Sequence, residues 1–279
     1  MFVPALFLSL ALTLGDAPAL WQMEPAELTA YLTEVHDAHP NFERRLTRVV
    51  RDSVGTPYAP GPLGEGPDGQ YDTDPLMDLS RVDCVTFIEQ GSALAACKTY
   101  DQAHALLQRI RYKEGRIGYE HRNHFMISDW VANNRAWCRE ITGDAGTPTK
   151  TETRSISRRD FFDKVDAPDL GEDTPDEKIA LTYIPSAEAG AALDHIEAPT
   201  MVVFIGNIDW LFALHTGLLI ARDDGPPRLY HASSKAEKVV AASLTDYLEE
   251  QAGRYLGIAL YRLEAPRWEE DNRTTNGHE

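Results

Sequence analysis

The stretch that decides the fold is Ser80-Arg81-Val82-Asp83-Cys84-Val85-Thr86-Phe87-Ile88-Glu89. Asp83 is a good residue to cap a helix, because its carboxylate can accept the unpaired amide hydrogens of the first turn. Cys84 then lies in that first turn, where the positive end of the helix dipole favours a thiolate over a thiol. A cysteine in this position is a candidate nucleophile, and a nucleophile needs a base and a group that orients the base. The stretch therefore predicts a helix that begins at Cys84 and partner residues elsewhere in the chain.

The composition is that of a globular chain with a strong acidic excess. The chain has 279 residues, of which 43% are hydrophobic, and this is enough to bury a sizeable core. Lys and Arg number 27 and Asp and Glu number 44, which gives a formal net charge of −17. This charge argues against a nucleic-acid backbone or an anionic membrane surface as the main partner.

Residues 1–19 have the pattern of a signal peptide. An apolar run over residues 2–14 is followed by Asp16-Ala17-Pro18-Ala19, whose small residues resemble a signal-peptidase site. We therefore expect the chain to be exported. No Lys or Arg precedes the apolar run, and a buried N-terminal helix is the alternative. No later stretch approaches the ~20 uninterrupted apolar residues of a membrane-spanning helix, so we expect no membrane span.

Four segments have the apolar spacing of amphipathic helices. They cover residues 24–36, 42–54, 83–97 and 100–112. Residues 55–75, between the second and third helix, are rich in Gly and Pro and have no periodicity. Because this long loop leads the chain to Cys84, we expect it to form a wall of the active-site cleft. A loop that simply extends over the surface is the alternative.

The final third of the chain has the character of a β-sheet. Its apolar runs, separated by turn residues, cover residues 201–205, 211–221, 228–232 and 255–263. Residues 243–251 predict a short helix that Ser243 can cap. Residues 141–157 are rich in Thr, Ser and Gly and predict a surface connection. Helices followed by an antiparallel sheet indicate an α+β domain.

The three cysteines of the chain cannot all pair with one another. A disulfide between Cys97 and Cys138 would leave Cys84 free, but the sequence does not establish that the two are close enough. The alternative is that both are small buried apolar residues.

Two histidines have a setting that suits partners of Cys84. His215 interrupts the apolar run of residues 211–220, and burial of an imidazole there costs free energy unless the ring has a polar partner. His231 lies sixteen positions later (231 − 215), at the end of the next predicted strand. Strands joined by a short turn pair antiparallel, which can bring the two rings side by side. One ring can then take the thiol proton while the other holds it in the required tautomer.

Five stretches, taken in their order along the chain, carry a resemblance to a known family. They are Asp83-Cys84-Val85-Thr86-Phe87, Arg122-Asn123-His124-Phe125, Asp129-Trp130, His215-Thr216-Gly217 and His231-Ala232-Ser233. The set resembles the bacterial N-acetylmuramoyl-L-alanine amidase-like family, within the NlpC-type, papain-like superfamily of cell-wall cysteine hydrolases. The resemblance extends over residues 42–263. The 131 positions between Cys84 and His215 (215 − 84) leave room for an insertion.

The resemblance implies Cys84 as the nucleophile, His215 as the base and His231 as the residue that orients the base. It implies a papain-like, NlpC-type α+β fold, in which the nucleophile helix packs on an antiparallel β-sheet and additional helices precede it. The chain would then consist of the signal peptide over residues 1–19, a single amidase domain over residues 20–265 and a polar tail over residues 266–279. Peptidoglycan fragments are the implied substrate class, and the periplasm is the expected location.

Six polar residues are candidates to bind substrate in the cleft: Tyr58, Arg81, Arg122, Asn123, His124 and Asp129. Either arginine could hold a peptide carboxylate in bidentate fashion, although each could instead pair with an acidic neighbour. For residues 122–129, the alternative is a buried polar network that braces the helices.

The predicted reaction is acyl transfer to Cys84 with cleavage of the amide between N-acetylmuramic acid and L-alanine. An endopeptidase that cuts within the stem peptide and a non-catalytic peptidoglycan-binding module are the alternatives. A further alternative is a zinc site formed by Cys84, His215 and His231. No Cys-x-x-Cys or His-x-x-x-His pattern accompanies the cysteine, which argues against zinc. We therefore predict no metal and no cofactor. The sequence leaves open which amide is cut, any preference for anhydro-muropeptides and the oligomeric state.

Overall fold

The computed structural model describes residues 18–171, 175–197, 199–208, 211–222 and 224–266. All but the last two residues of the predicted signal peptide lie outside the described residues, as does the predicted tail beyond Pro266. Cleavage and export therefore stay predictions, and so does the single domain over residues 20–265.

Four helices form where the apolar spacing predicts them, and they are α1 Pro25–Ala38, α2 Phe42–Asp52, α3 Cys84–Ala96 and α4 Tyr100–Arg111. Polar side chains cap three of them. Asn41 accepts the N–H of Arg44 at 3.0 Å, and Thr99 accepts the N–H of Gln102 at 3.2 Å. Asp83 caps α3, as the sequence predicts. Helix α3 packs between α2 and α4 and also contacts the β-sheet.

An antiparallel β-sheet forms the second layer. In the described part of the chain its eight strands are β1 Cys138–Glu140, β2 Lys150–Ile156, β3 Glu177–Pro185, β4 Thr200–Ile208, β5 Leu211–Ile220, β6 Arg228–Ser233, β7 Lys238–Ala242 and β8 Tyr255–Leu263. Their order is β2-β3-β8-β4-β5-β6-β7, with β1 also paired to β8, and every pairing is antiparallel. Three short α-helices are α5 Arg158–Lys164, α6 Ala189–Ala192 and α7 Leu244–Glu250, and a π-helical turn covers Met126–Val131. The combination agrees with the predicted α+β class.

The prediction of a surface connection over residues 141–157 is wrong in its second half. Lys150–Ile156 form β2, which lies at one end of the sheet and pairs with β3. A strand at the end of a sheet can keep much of one face in solvent, so Thr, Lys and Glu are compatible with it and the apolar alternation is lost. The strands β1, β2 and β3, together with α5, occupy the interval between Cys84 and His215 in which the sequence leaves room for an insertion.

Both faces of the central strands are buried. In β4, Met201, Val203 and Ile205 contribute to the apolar core on the side of helices α1 to α4. Val202 and Phe204 contribute to a second core, on the side of α6 and α7. Since side chains alternate between the faces of a strand, each residue of β4 is assigned to one core by its position alone.

A β-bulge between β4 and β5 sets the position of His215. Phe204 of β4 pairs with His215, but the next pair joins Ile205 to Ala213 and skips Leu214. Leu214 is therefore the extra residue of the bulge, which bends the strand next to the histidine.

Arg154 of β2 supports the end of the hairpin that carries this bulge. Its guanidinium donates to the backbone carbonyls of Ile208 and Leu211, both at 2.7 Å, and of Gly206 at 2.8 Å. A Cβ added at Gly206 would lie 2.1 Å from Cδ1 of Leu214, so a larger residue here requires the Leu214 side chain to move. The buried guanidinium thus satisfies carbonyls that the irregular pairing leaves without a strand partner.

A buried ion pair ties the helix of Cys84 to α4. Arg111 donates to Glu89 of α3 at 2.6 Å, and the Trp130 indole donates to the same carboxylate at 3.0 Å. Burial lowers the pKa of Arg111, but the charges of Glu89 and Tyr112 and the hydrogen bonds to both together outweigh burial, so the pKa is raised and the guanidinium stays charged. Arg111 also donates to the carbonyl of Leu63 at 3.0 Å. The pair therefore anchors both α3 and the loop over residues 55–75.

The same loop has a second set of anchors. The Tyr112 hydroxyl donates to the Gly64 carbonyl at 2.8 Å. Arg122 pairs with Glu65 at 2.6 Å and with Asp72 at 2.8 Å. These contacts hold the Gly/Pro-rich segment against the helical layer instead of leaving it as a free surface excursion.

Two further expectations concern membranes and disulfides. Within the described residues, no helix combines the length and the apolar character that crossing a membrane requires.

Cys97 and Cys138 are both buried, and no disulfide joins them in this structure.

We predict that Glu89→Gln destabilises the protein by about 3–5 kcal/mol, because it leaves the buried Arg111 charge without its counter-ion. Urea unfolding followed by far-UV circular dichroism measures this loss. The matched control is Glu114→Gln, which removes only the exposed Glu114–Arg116 pair and should cost about 1 kcal/mol or less. Equal stabilities for the two variants would contradict a structural role for the buried pair.

Candidate active site

Asp83 holds the amino end of α3 and presents Cys84. Its carboxylate accepts the backbone N–H of Thr86 at 2.7 Å and of Val85 at 3.0 Å. Its other oxygen accepts the N–H of Gly61 at 3.1 Å, which joins the Gly/Pro-rich loop to the start of the helix. The N–H of Cys84 lies in the first turn, where it has no intrahelical acceptor, and it hydrogen-bonds to the sulfur of its own side chain.

The sulfur of Cys84 is half-buried against β5. The backbone N–H of Thr216 hydrogen-bonds to it, and this contact favours the thiolate. Burial and the nearby carboxylate of Asp83 outweigh this contact and raise the pKa of the Cys84 thiol to about 12. The expectation of a thiolate favoured by the helix dipole is therefore not met in this structure. A base must remove the thiol proton when the cysteine reacts.

His215 and His231 form a hydrogen-bonded pair, with Nε2 of His215 2.8 Å from Nδ1 of His231. The rings lie nearly perpendicular, at 85°, with their centroids 4.9 Å apart. Burial, together with the nearby His231 and Arg254, lowers the pKa of His215 to about 3. Burial lowers the pKa of His231 to about 4. Both imidazoles are therefore neutral near neutral pH. Nδ1 of His215 is the ring nitrogen that this hydrogen bond leaves for another partner.

Three aromatic residues pack around the histidine pair. Tyr247 of α7 lies 4.8 Å from the ring of His231, and Phe204 of β4 lies 5.6 Å from the ring of His215, measured between centroids. The hydroxyl oxygens of Tyr247 and Tyr255 are 3.0 Å apart. This packing restricts the positions of both rings. The sequence analysis missed these residues, although the register of β4 and β5 places Phe204 directly opposite His215.

Cys84 and His215 line one cavity of about 230 Å³, which we call the nucleophile cavity. Its walls are mostly apolar. Asn123, His124, Phe161 and Leu214 also contribute to them. The bulged Leu214 and Phe161 of α5 thus contribute apolar surface to the same cavity as Cys84.

His215 also lines a second cavity, of about 500 Å³, which we call the distal cavity. Its lining is largely polar and includes His231, Arg228, Lys235, Tyr247 and Arg254. His215 is therefore common to both cavities, and the arrangement forms two chemically different spaces that meet at one imidazole.

Asn123 and His124, two of the predicted substrate-binding residues, line the nucleophile cavity. The Asn123 amide donates to the Ile110 carbonyl at 2.9 Å, and Nε2 of His124 lies 2.7 Å from the Tyr119 carbonyl. Burial lowers the pKa of His124 to about 4, so its imidazole is uncharged near neutral pH where it lines the cavity.

Tyr58 lies beside the start of α3, because its backbone bridges to Val82. Burial raises the pKa of the half-buried Tyr58, and the charges of Cys84 and Asp83 add to the rise. Tyr58 is the part of the Gly/Pro-rich loop that approaches the site. Of the described residues, the lining of the two cavities includes none from residues 55–75.

The two predicted arginines are engaged with acidic neighbours. Arg81 pairs with Asp78 at 2.9 Å in an exposed position. Arg122 is held by the ion pairs with Glu65 and Asp72. Neither arginine is among the described residues that line the two cavities.

Asp129 is buried inside the π-helical turn. It accepts from Arg158 at 2.9 Å and from the N–H of Phe125 at 3.2 Å, and Lys113 approaches it to 3.7 Å. These contacts correspond to the alternative of a buried polar network, in which Asp129 braces the segment that carries Asn123.

A metal site from the same residues has no geometric support. Among the described residues, no group of three or more His, Cys, Asp or Glu side chains is arranged to hold a metal ion. The nitrogens of His215 and His231 face each other instead of converging on a common point.

The chain is similar to a known protein family and to several solved structures. A family model described as N-acetylmuramoyl-L-alanine amidase-like (AmiA-like) matches residues 48–257. A crystal structure of a Legionella pneumophila protein is similar, with 21% identity and a TM-score of 0.76, over 86% of this chain and 97% of that one. No curated protein sequence matches the chain.

Two crystal structures of an N-acetylmuramoyl-L-alanine amidase from Bacteroides uniformis are also similar. One has 22% identity and a TM-score of 0.65 over 80% of this chain and 99% of that one. The other has 24% identity and a TM-score of 0.63 over 78% of this chain and 98% of that one. At these identities the likeness establishes a shared fold.

We predict that His231→Asn reduces the acid sensitivity of folding. The pKa of His231 in the folded protein is depressed to about 4, so the stability it contributes is present above its unfolded pKa and is lost as the pH falls. Between about pH 7 and pH 4.5 the variant should lose about 2 kcal/mol less than the wild-type protein. Urea unfolding at each pH measures the difference. Parallel losses in the two proteins would show that His231 is not held neutral by the fold.

Proposed function

The chain belongs to the N-acetylmuramoyl-L-alanine amidase-like (AmiA-like) family, and on this premise we propose that it is a peptidoglycan amidase with Cys84 as its nucleophile. The proposed scissile bond is the amide between N-acetylmuramic acid and L-alanine. The observation that carries the assignment of the nucleophile is the hydrogen-bonded pair of His215 and His231, whose first ring shares a cavity with the Cys84 thiol.

The proposed fold assignment is papain-like, of the NlpC type. It is supported by a cysteine in the first turn of α3, by the contact between that helix and the strands β5 and β6, and by a histidine on each of these strands. A nucleophile on a helix and a base on a facing sheet give each group a rigid support, which fixes their separation.

In the proposed first step, Nδ1 of His215 takes the proton from the Cys84 thiol while the sulfur attacks the lactyl carbonyl carbon. The carbon–nitrogen bond then breaks, and the imidazolium of His215 gives its proton to the departing amine of L-alanine. The acyl group remains on the sulfur as a thioester. His215 next takes a proton from water, whose oxygen attacks the thioester carbon, and the returning proton regenerates the thiol. Atoms and charges balance without a cofactor.

The proposed role of His231 follows from the hydrogen bond to His215. With Nδ1 of His215 free to accept a proton, Nε2 of the same ring carries hydrogen and donates to Nδ1 of His231. This fixes the tautomer of the base and stabilises the imidazolium that forms in the transition state. Because burial holds the thiol protonated, the transfer to His215 occurs together with attack and requires the carbonyl to be in place.

The oxyanion of the tetrahedral intermediate requires donors beside the sulfur. The N–H of Cys84 is one proposed donor, since it lies in the first turn of α3 without an intrahelical acceptor. The phenol of Tyr58 is the proposed second donor, supported by the backbone bridge that holds Tyr58 beside Val82, two residues before Cys84.

The proposed setting is the periplasm, with muropeptides as the substrates. It rests on the signal-peptide pattern of residues 1–19 and on the family.

Mass spectrometry of purified muropeptides after incubation with the protein tests the proposed reaction. We expect free stem peptide that begins at L-alanine with the wild-type protein and none with Cys84→Ser, because the serine hydroxyl cannot replace the thiol at this site. Shortened stems still attached to the sugar would instead indicate an endopeptidase. Products from Cys84→Ser at the wild-type rate would rule out the nucleophile.

Tyr58→Phe tests the second oxyanion donor. We expect kcat to fall about a hundredfold with KM nearly unchanged, since the lost hydrogen bond forms only in the transition state. Steady-state kinetics on a defined muropeptide measures both constants. A rise in KM with kcat retained would assign Tyr58 to substrate binding instead.

A further inference from the structure

The distal cavity has no role in the chemical steps derived above except through His215 and His231, which line it. It lies between β6, α7 and the turn that leads into β8, and its volume of about 500 Å³ exceeds that of the nucleophile cavity. A space of this size next to the base has room for several residues of an extended ligand.

Two guanidinium groups in this cavity lack a carboxylate partner among the described residues. Arg254 donates to the Gln251 side chain at 3.2 Å and its guanidinium lies 5.4 Å from the centre of the Tyr255 ring. Arg228 donates to the Ala241 carbonyl at 2.9 Å, and its Nε is buried without an acceptor. A buried donor without a partner is costly, which is a reason to look for a ligand that accepts from it.

The other charges of the cavity leave this positive excess in place. Lys235 pairs with Glu250 at 3.4 Å, and both are exposed. Asp246 is the remaining acidic residue of the lining. In a chain with a formal charge of −17, a cavity with more cationic than anionic side chains stands out from the rest of the surface.

The backbone places Arg254 at the mouth of this cavity. Gly253 has φ +82, a left-handed conformation that closes the turn between α7 and β8. Arg254 is the next residue and is exposed, while Tyr255 behind it is buried. The guanidinium is thus carried by a defined turn and remains accessible to a ligand.

We propose that the distal cavity binds the departing peptide of the substrate through its carboxylates, with Arg254 as the main anchor and Arg228 as the second. This inference rests on the proposed function. His215 protonates the departing amine, so the peptide attached to that amine begins beside His215, and the distal cavity is the larger of the two spaces that His215 lines. The sugar side has no free carboxylate, because the lactyl carboxyl is the acyl group that is transferred.

A bound carboxylate also acts on the base. Arg254 is one of the groups that lower the pKa of His215, after burial and His231. An anion paired with Arg254 offsets this effect and makes His215 a better proton acceptor only when the correct peptide is bound. Specificity for an acidic peptide would then be expressed in kcat as well as in KM.

The test compares two substrates that differ only in charge: N-acetylmuramoyl-L-alanyl-D-glutamate and its diamide. We expect Arg254→Gln to lower kcat/KM for the acid by about ten- to a hundredfold, the range for charge-assisted hydrogen bonds. It should not lower kcat/KM for the diamide, on which the loss of the Arg254 charge acts only through the pKa of His215. Arg254→Lys, which keeps the charge, should recover part of the loss. Arg116→Gln, an exposed arginine paired with Glu114, is the matched control and should affect neither substrate.

A binding measurement separates this inference from the proposed function. Calorimetric titration of the free peptide L-alanyl-D-glutamate into the wild-type protein and into Arg254→Gln does not require cleavage. Binding that depends on Arg254 supports the site even if no amide is hydrolysed, in which case the proposed function alone fails. Equal loss of activity on acid and diamide, no peptide binding to the wild-type protein, or binding that is unchanged in Arg254→Gln overturns the proposal.

Discussion

The hydrogen bond between His215 and His231 is the interaction on which the arrangement of the site depends. Two imidazoles buried in an apolar sheet lose their water, and each needs a polar partner in return. The bulge at Leu214, the support of Arg154 beneath the hairpin and the packing of Tyr247 all act on the positions of these rings. Satisfying one ring with the other also leaves a single nitrogen of His215 available for chemistry.

The helical layer holds the cysteine in position, as the sheet does for the two histidines. Asp83 fixes where α3 begins, and the buried pair of Glu89 and Arg111 fixes how α3 lies against α4 and the loop that precedes it. The thiol and the base therefore belong to two separately braced layers that meet at the nucleophile cavity. Polar groups buried this deeply are costly if either partner is lost, so the same contacts that position the site also make the fold sensitive to change.

The helices and strands that the sequence predicts correctly are those whose apolar pattern is visible within the element itself. Helices α1 to α4 have apolar periodicity, three of them also have polar caps, and β4, β5, β6 and β8 are rich in apolar residues. The signal fails for β2, whose side chains are mainly polar because it lies at the end of the sheet, and for β3 and α5 within the same interval. In the site, Arg122 and Asp129 have the right chemistry for substrate contact, but neighbouring charges already occupy them.

The sequence by itself determined the capped cysteine helix and the two strand-borne histidines, because a cap, an apolar run and an interrupted strand are local patterns. Antiparallel pairing of neighbouring strands was enough to predict that the two rings meet. Only the tertiary structure decided the protonation of Cys84, since burial depends on what packs over the sulfur and outweighs the local effect of the helix end. It also decided which polar residues are satisfied and which face a cavity, because ion pairs such as that of Arg122 with Glu65 join residues distant in sequence.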